Sequence, residues 1–451
     1  MDRSILAMGI VLMLTWPNIV YAQSPKSLPE VDRLTYELYQ QKNWDGLITE
    51  ANKALDQGMD YYYLRVRLGI AYYEKQNYHL AVRHFDNAHQ MNDAEDYVKE
   101  YLYFAYLFSG RQADAKVLAS RFPPSLQRKT ATDQWSFVEG IDLAYNYTGI
   151  ADPSILDNFT SDVPLDRDGT QFIPRQHHYF FLGLQHHLSP RLSFYHGYSN
   201  LQVSHLRYIQ ASSEAITEND FPSNLHQYYA AANLLVAKGL TLSGGIHFIN
   251  SSFETITQVV SGSPGRPTIR SIPSRVINND LVAFASLYKR FDFITVGAAY
   301  YRGTVADFIQ NQTDLRLTLY PLGNLNLYTI TTASHQNQDF RDGNVINRTL
   351  VDQQIGVKVS NWLWAEAYGT FGEMDNFFLK DGLVIFNRMD IVKQRLGGRL
   401  IFLPAPKWSL TLDYTYMNNQ SQFIQVPFTG EDFNQKKYQI HSITAISSWK
   451  F

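Results

Sequence analysis

Residues 408–417 read WSLTLDYTYM, and this stretch decides the fold class. From Trp408 to Tyr416, an apolar residue occupies every second position, and Ser, Thr or Asp stands between. Such alternation is typical of a β-strand with one apolar and one polar face. The same period of two recurs at 281–288 and 314–320. We therefore expect the region 135–451 to be built from strands.

The connections between these strands alternate between short and long. The short ones are Ser189-Pro190, Lys238-Gly239, Arg290-Phe291, Leu322-Gly323, Asn361 and Pro404-Ala405-Pro406. The long, polar ones lie at about 149–174, 209–223, 261–277, 303–312, 337–347, 376–389 and 420–435. Counting between them gives about 14 strands of roughly a dozen residues each. An even-numbered antiparallel barrel with short turns at one end is typical of the bacterial outer membrane, whereas a soluble sandwich has shorter strands.

The aromatic content and the last residues agree with a membrane barrel. The chain contains 30 Tyr and 27 Phe, and aromatic residues make up 14% of it, as expected for girdles at two membrane interfaces. The final strand ends in Trp449 and Phe451. A terminal Phe after an alternating strand resembles the C-terminal signal by which bacterial barrels are recognised for insertion, although His441 and Ser447 interrupt the apolar face.

Residues 23–130 have a different, helical pattern with a period of 34 residues. Positions 68–88 carry the small and large residues of a repeat, and subtracting or adding 34 gives a similar apolar skeleton. The predicted repeat core comprises Leu34, Ala54, Leu68, Gly69, Tyr72, Ala81, Phe85, Ala88, Leu102 and Tyr106. The central repeat resembles the tetratricopeptide family, and its neighbours match the apolar skeleton only. The resemblance implies about three stacked helix pairs, because one repeat cannot bury its own apolar face.

Such arrays usually present a concave surface to a protein or peptide. Tyr61, Tyr62 and Tyr63 are the candidate residues for binding a protein partner. Two alternatives stay open. The tyrosines could belong mainly to the repeat core, and so short an array could serve only as a spacer packed against the barrel.

The first 22 residues have the layout of a signal peptide. Arg3 precedes an apolar run from Ile5 to Trp16, and small or apolar residues precede a cleavage site between Ala22 and Gln23. A membrane anchor is the weaker reading, because a spanning helix needs about 20 apolar residues. An even strand number returns both barrel ends to one side, so we expect the helical array in the periplasm.

The composition excludes several functional classes. The chain has no Cys and a net charge of −3, so disulfides, thiolate metal sites and a basic nucleic-acid-binding face are not expected. No catalytic motif is present, and we expect neither an enzyme nor a cofactor. Calcium in the first long loop, which holds Asp157, Asp162, Asp166 and Asp168, is a weak alternative, because Pro164 breaks the EF-hand spacing.

Several basic residues fall on the polar face of predicted strands and should point into the lumen. They are Arg316, Lys358, Lys393, Arg395 and Arg399. Basic residues in a lumen can favour anionic substrates. The alternative is that they pair with carboxylates of the lumen such as Asp314, Glu366 and Asp413.

The predicted architecture is a signal peptide (1–22), a tetratricopeptide-like helical domain (23–130) and an outer-membrane barrel (135–451), an α+β multidomain chain. Its domain order is similar to that of the surface lipoprotein assembly modifiers and, less closely, the exopolysaccharide export porins. The resemblance implies outer-membrane lipid around the barrel and a protein partner at the repeats, and the protein could act alone or within a larger outer-membrane complex. Three hypotheses remain: export or assembly of a docked protein client, a solute channel, and a polysaccharide export porin.

Overall fold

The computed structural model describes residues 26–134, 136–157, 169–211, 214–263, 266–305, 308–339, 345–387, 390–425 and 433–451. The predicted signal peptide, with Ala22 and Gln23, lies outside the described residues. The same holds for residues 158–168 of the loop considered for calcium.

Within these ranges, fourteen antiparallel strands close into a barrel, in which β1 pairs with both β2 and β16. The first seven strands are β1 (Val138–Ile150), β2 (Gly169–Ser189), β3 (Leu192–Ala211), β4 (Glu214–Ala237), β5 (Leu240–Ser263), β6 (Arg266–Arg290) and β7 (Ile294–Val305). The other seven are β8 (Phe308–Leu319), β9 (Leu327–Asp339), β10 (Val345–Lys358), β11 (Leu363–Met374), β14 (Ile391–Ala405), β15 (Trp408–Gln425) and β16 (Phe433–Lys450). Closure removes the unpaired sheet edges that an open sheet would expose.

The long connections are where the sequence-based prediction is wrong. Strands β2 to β6 contain 20 to 25 residues instead of a dozen, and they continue through much of the predicted loops 209–223 and 261–277. The segment 303–312 is also largely strand. Outside the lipid there is no apolar face to impose alternation, yet backbone pairing still stabilises a strand, so pattern alone underestimates its length. We call this side of the barrel the extended end and the opposite side the turn end.

The outer surface of the barrel carries a belt of exposed aliphatic and aromatic side chains. Leu143, Leu242, Leu315 and Ile443 are each more than two-fifths exposed, although a soluble protein would bury most such residues. The terminal Trp449 and Phe451 are also exposed. The belt is the lipid-facing surface that the alternation predicted, and its hydrophobic area is stabilised by acyl chains rather than by protein.

Six helices of the N-terminal region form three successive pairs, followed by a single turn-and-a-half helix. They are α1 (Leu28–Gln40), α2 (Trp44–Asp56), α3 (Tyr62–Glu74), α4 (Tyr78–Met91), α5 (Asp96–Phe108), α6 (Gln112–Ala119) and α7 (Pro124–Lys129); a short α8 (Ser154–Asp157) follows β1. The pairs begin at residues 28, 62 and 96, which are 34 residues apart. No helix among the described residues is long and apolar enough to cross a membrane.

The helical pairs pack through two clusters of buried side chains. Eight of the ten predicted core residues are buried, whereas Leu34 and Tyr72 are only half-buried. Helix α1 instead buries Val31 and Thr35, which lie three residues before Leu34 and one residue after it. Residues four apart share a helix face, and the Arg67 guanidinium binds the Thr35 hydroxyl, so the buried face of α1 is displaced from the predicted one.

A short hairpin, β12 (Phe377–Leu379) and β13 (Val384–Phe386), lies between β11 and β14 and is inserted into the barrel. Phe377 and Phe378 are fully buried. Phe377 belongs to a cluster with residues of β2, β3, β10, β15 and β16, and Phe378 belongs to another with residues of β4, β6 and β7. The predicted polar loop 376–389 is therefore an apolar element that bridges opposite walls of the lumen. We call residues 377–386 the lumen hairpin.

Candidate functional site

A large cavity lies inside the barrel and has a volume of about 1470 Å³. It extends from Ser448, near the turn end of β16, to Phe308 at the extended end of β8. Leu383 and Ile385 of the lumen hairpin line it as well. The cavity thus follows the barrel axis, and the hairpin forms part of its wall.

Hydrogen bonds from the barrel wall fix the position of the lumen hairpin. Gln312 of β8 accepts a hydrogen bond from the backbone N–H of Phe378 at 3.0 Å and donates one to its carbonyl at 2.8 Å. A side-chain amide can satisfy both groups of one peptide because it carries a donor and an acceptor. Gln312 itself is buried, so the hairpin is anchored away from competing water.

The tip of the hairpin has its own contacts. The Tyr229 hydroxyl donates to the Asp381 carbonyl at 3.0 Å, and the Tyr288 hydroxyl donates to the Asp381 carboxylate at 2.6 Å. His247 Nδ1 lies 2.8 Å from the Gly382 carbonyl oxygen. Three neighbouring strands, β4, β5 and β6, therefore hold the turn of the hairpin against one wall.

The opposite wall carries the charged side chains. Arg399 donates to the Glu366 carboxylate at 2.5 Å and to the Asp413 carboxylate at 2.9 Å. Arg395 lies over the Tyr368 ring, with its guanidinium carbon 4.3 Å from the centroid. An arginine held between carboxylates and an aromatic face is fixed in direction and largely neutralised.

The structure brings three of the five predicted lumen cations together. Lys393, Arg395 and Arg399 line the cavity. Arg316 instead lies over the Tyr288 ring, 5.3 Å from the centroid, and Lys358 lies at the turn end, where its N–H binds the Asn326 carbonyl. Neither of these two lines the cavity, because one is covered by Tyr288 and the other lies at the rim. The alternative in which Arg399 pairs with Glu366 and Asp413 is the one observed.

The sequence contained a signal for the lumen hairpin that alternation did not use. Residues 377–386 read FFLKDGLVIF, two apolar runs separated by Lys-Asp-Gly. An Asp-Gly pair between apolar runs is a strong short-range indication of a hairpin. The residue of the barrel wall that anchors the hairpin, Gln312, carried no comparable signal, because a single polar residue gives no indication of a distant partner.

The helical domain is docked on the turn end of the barrel. Arg290 of β6 donates to the Ser109 carbonyl at the end of α5 and to the Tyr320 hydroxyl. The Asp114 carboxylate of α6 accepts the N–H of Gly239 in the β4–β5 turn at 3.1 Å. Because Asp114 is buried and also accepts from Arg111 at 2.9 Å, this contact is a charge-assisted bond shielded from water.

Close approach of the backbones completes the docking contact. Gly323, in the β8–β9 turn, has φ of +67°, and a Cβ placed on it would lie 2.1 Å from Asn77 Oδ1. The N–H of His79 donates to the Gly323 carbonyl at 3.0 Å, and the imidazole of His79 packs against the Tyr320 ring. Glycine is needed here both for its backbone conformation and for the space.

The three tyrosines predicted to bind a partner have different surroundings. Tyr61 and Tyr62 are half-buried, and Tyr63 is 56% exposed. Tyr36 on α1 and Tyr97 on α5 are also exposed, and the Arg67 guanidinium lies beside the rings of Tyr36 and Tyr63. The first helix of each pair therefore contributes an exposed tyrosine, which we call the tyrosine surface (Tyr36, Tyr63 and Tyr97).

No protein-family model and no curated protein matches this chain. Solved structures with a similar barrel include a Pseudomonas aeruginosa FadL homologue, at 12% identity and a TM-score of 0.41, covering 69% of this chain and 90% of that chain. The P. putida toluene transporter TodX has 11% sequence identity and a TM-score of 0.43, and the match covers 74% of this chain and 94% of that chain. The Ralstonia pickettii toluene transporter TbuX has 9% sequence identity and a TM-score of 0.43, and the match covers 70% of this chain and 90% of that chain. At this level the likeness is one of barrel architecture and does not extend to a substrate.

Proposed function

We propose that this protein is a solute channel of a bacterial outer membrane, with the lumen hairpin as its constriction. The observation that carries the proposal is the cavity of about 1470 Å³ along the barrel axis. The apolar outer belt suits a lipid bilayer, and the strand number suits a barrel wide enough for a small molecule.

The size and lining of the cavity favour a small solute. Binding pockets for small molecules usually enclose about 300–1,000 Å³, so this lumen has room for one such molecule and some water. A polysaccharide or an unfolded protein would need a continuous lumen, and the lumen hairpin crosses it with two buried aromatic rings. Passage of a small molecule requires only a local displacement of the hairpin.

Replacement of the lumen hairpin tests the proposal. Residues 377–386 would be exchanged for a flexible Gly-Ser segment of the same length, and conductance would be measured in planar bilayers. We expect the intact chain to conduct weakly and the variant to conduct several times more strongly. The control is a Gly-Ser exchange of residues 359–361, in the short turn between β10 and β11, which should leave conductance unchanged. If neither protein conducts and neither admits small solutes into vesicles, the channel proposal is wrong.

The tyrosine surface supports a second candidate function, the docking of a protein partner for export or assembly. The 34-residue spacing of the helix pairs and the exposed rings of Tyr36, Tyr63 and Tyr97 fit a tetratricopeptide-like binding surface. This candidate agrees with the resemblance to surface lipoprotein assembly modifiers. The test is gentle extraction of the protein and its bound partners from the native membrane. The unchanged protein is compared with a variant that carries both Tyr63→Ala and Tyr97→Ala. A stoichiometric protein lost from the variant supports docking, and an unchanged preparation argues against it.

A further inference from the structure

The tip of the lumen hairpin presents a lysine to the cavity. Lys380 has φ of +54° and the following Asp381 has φ of +53°. Residues other than glycine adopt this left-handed conformation at a cost, and such positions concentrate at functional sites. The side chain of Lys380 is exposed and lines the cavity. The backbone strain at the tip thus accompanies an ammonium group directed into the lumen.

Lys380 differs from the other cationic side chains of the cavity wall because its ammonium group has no partner among the described residues. Each other lysine or arginine of the lining binds a carboxylate, in the pairs Arg348–Asp375, Lys393–Glu373, Arg395–Asp352, Arg399–Glu366 and Arg399–Asp413. The ammonium group of Lys380 makes no hydrogen bond or ion pair with any residue that the structure describes. It is therefore the cation of this wall whose charge remains available to a molecule in the lumen.

The hairpin also fixes where this charge lies. The Lys380 carbonyl accepts the N–H of Leu383 at 3.2 Å, and Asp381 is bound by hydroxyls of the barrel wall. Leu383 and Ile385 line the same cavity beyond the tip, and Val203 and Leu225 contribute an aliphatic surface from β3 and β4. The ammonium group of Lys380 thus stands at one border of an apolar surface.

We propose that Lys380 binds the acidic group of a small organic anion whose apolar body lies on the aliphatic surface of the cavity. The inference rests on the proposed channel function and names the class of solute. A carboxylate and a phosphate share the required chemistry, since each accepts charge-assisted hydrogen bonds from an ammonium group. A neutral hydrocarbon would leave the ammonium group without a partner, and an organic cation would be repelled by it.

The test uses the full chain in planar bilayers with four probes of similar size. These are benzoate, phenyl phosphate, benzyl alcohol and benzylammonium. We expect an anionic probe to interrupt the current at concentrations at least tenfold lower than those needed for the neutral and cationic probes. The more effective of benzoate and phenyl phosphate identifies the acidic group.

Three variants separate a binding role from a structural one. Lys380→Gln should weaken the block by the preferred anion about tenfold, in line with the loss of one charge-assisted hydrogen bond. Lys380→Arg should restore most of it. Lys407→Gln, the same change at an exposed position of the β14–β15 turn, should have no effect.

The outcomes distinguish this inference from the channel proposal. If the chain conducts and all four probes block equally, or if Lys380→Gln leaves anion block unchanged, Lys380 is not an anion site although the channel remains. If the chain neither conducts nor admits any probe, both proposals fail. Heat-dependent migration of each variant as a folded barrel would show that a lost response is not a folding defect.

Discussion

At the scale of single residues, Gly69 shows how closely the helices of the N-terminal domain approach one another. A Cβ placed on Gly69 would lie 2.6 Å from two carbons of the Phe85 ring, which is fully buried. No side chain fits between α3 and α4 at this point. The sequence shows a small residue at position 69 and a large one at position 85. The close contact between them explains why this pattern is needed.

Gly69→Ala should therefore destabilise the helical domain although alanine is the better helix former. The methyl group would force the Phe85 ring or the helix backbone to move, at a cost of about 1–3 kcal/mol, against a gain in helix propensity of about 1 kcal/mol. Urea unfolding of the full chain, followed by helical circular dichroism, measures the difference. Combining the change with Phe85→Leu should recover part of the loss, and two strictly additive losses would contradict the packing explanation.

His84 should make the same domain sensitive to acid. Burial, with Arg65 and Arg83 nearby, lowers the pKa of His84 to about 3. The unfolded chain takes up a proton at about pH 6.5 whereas the folded domain does not, so stability that is present above pH 6.5 is lost as the pH falls towards 3. Between pH 7 and pH 5 the loss from His84 is about 2 kcal/mol.

Urea midpoints of the helical signal at pH 7 and pH 5 measure this effect. His84→Phe keeps a ring that can stack on Tyr72, as His84 does, and should reduce the pH dependence. His226→Phe, an exposed position of β4, is the control and should keep the full dependence. A pH dependence that is identical in all three proteins would contradict the assignment to His84.

At the scale of elements, the lumen hairpin is held at its first strand by β8 and at its turn by β4, β5 and β6. The link to β8 consists of the two hydrogen bonds between Gln312 and Phe378. Gln310 lies on the same face of β8 and is buried, but its amide has no hydrogen-bond partner among the described residues. The two glutamines therefore form a natural comparison of an anchoring and a non-anchoring side chain.

Gln312→Ala should loosen the lumen hairpin without unfolding the barrel. The change leaves the N–H and the carbonyl of Phe378 without partners, which costs about 1–3 kcal/mol for each buried group unless the hairpin moves to water. Single-channel recordings should show more frequent and longer openings. Gln310→Ala should behave like the unchanged chain, and equal gating in both variants would show that Gln312 does not anchor the hairpin.

At the scale of the whole molecule, the helical domain and the barrel share a polar interface along the turn end. It runs from the Lys116–Glu139 ion pair at β1 to the Asn324–Gln76 hydrogen bond at the β8–β9 turn. Contacts along this much of the rim place the domain beside the opening of the lumen. The helical domain is thus packed against the barrel, as the spacer alternative expected, while the tyrosine surface remains exposed.

Arg290→Met should release part of this interface, because the half-buried guanidinium binds Ser109, Tyr320 and Thr295 at once. We expect faster proteolytic separation of the helical domain from a barrel that stays folded. Arg302→Met, at an exposed position towards the other end of the same sheet, is the control. Equal proteolysis of the two variants would mean that Arg290 does not hold the domain in place.

The sequence by itself determined the class of fold and most of its elements. Alternation along each strand and a 34-residue helical period are local patterns, and they follow directly from the geometry of strands and helices. They gave the strand number, the outward belt and the buried pair Gly69 and Phe85. The same patterns were uninformative outside the lipid, where strands β2 to β6 continue without an apolar face.

Only the tertiary structure decided what lies in the lumen and at its rim. The insertion of residues 377–386, the partners of Arg399 and the position of the Lys380 ammonium group depend on residues that are distant in the chain but face one cavity. The docking contact of Asp114 with Gly239 depends in the same way on the relative position of two domains. A local pattern reports the face on which a residue lies, whereas pairing and function depend on which faces meet.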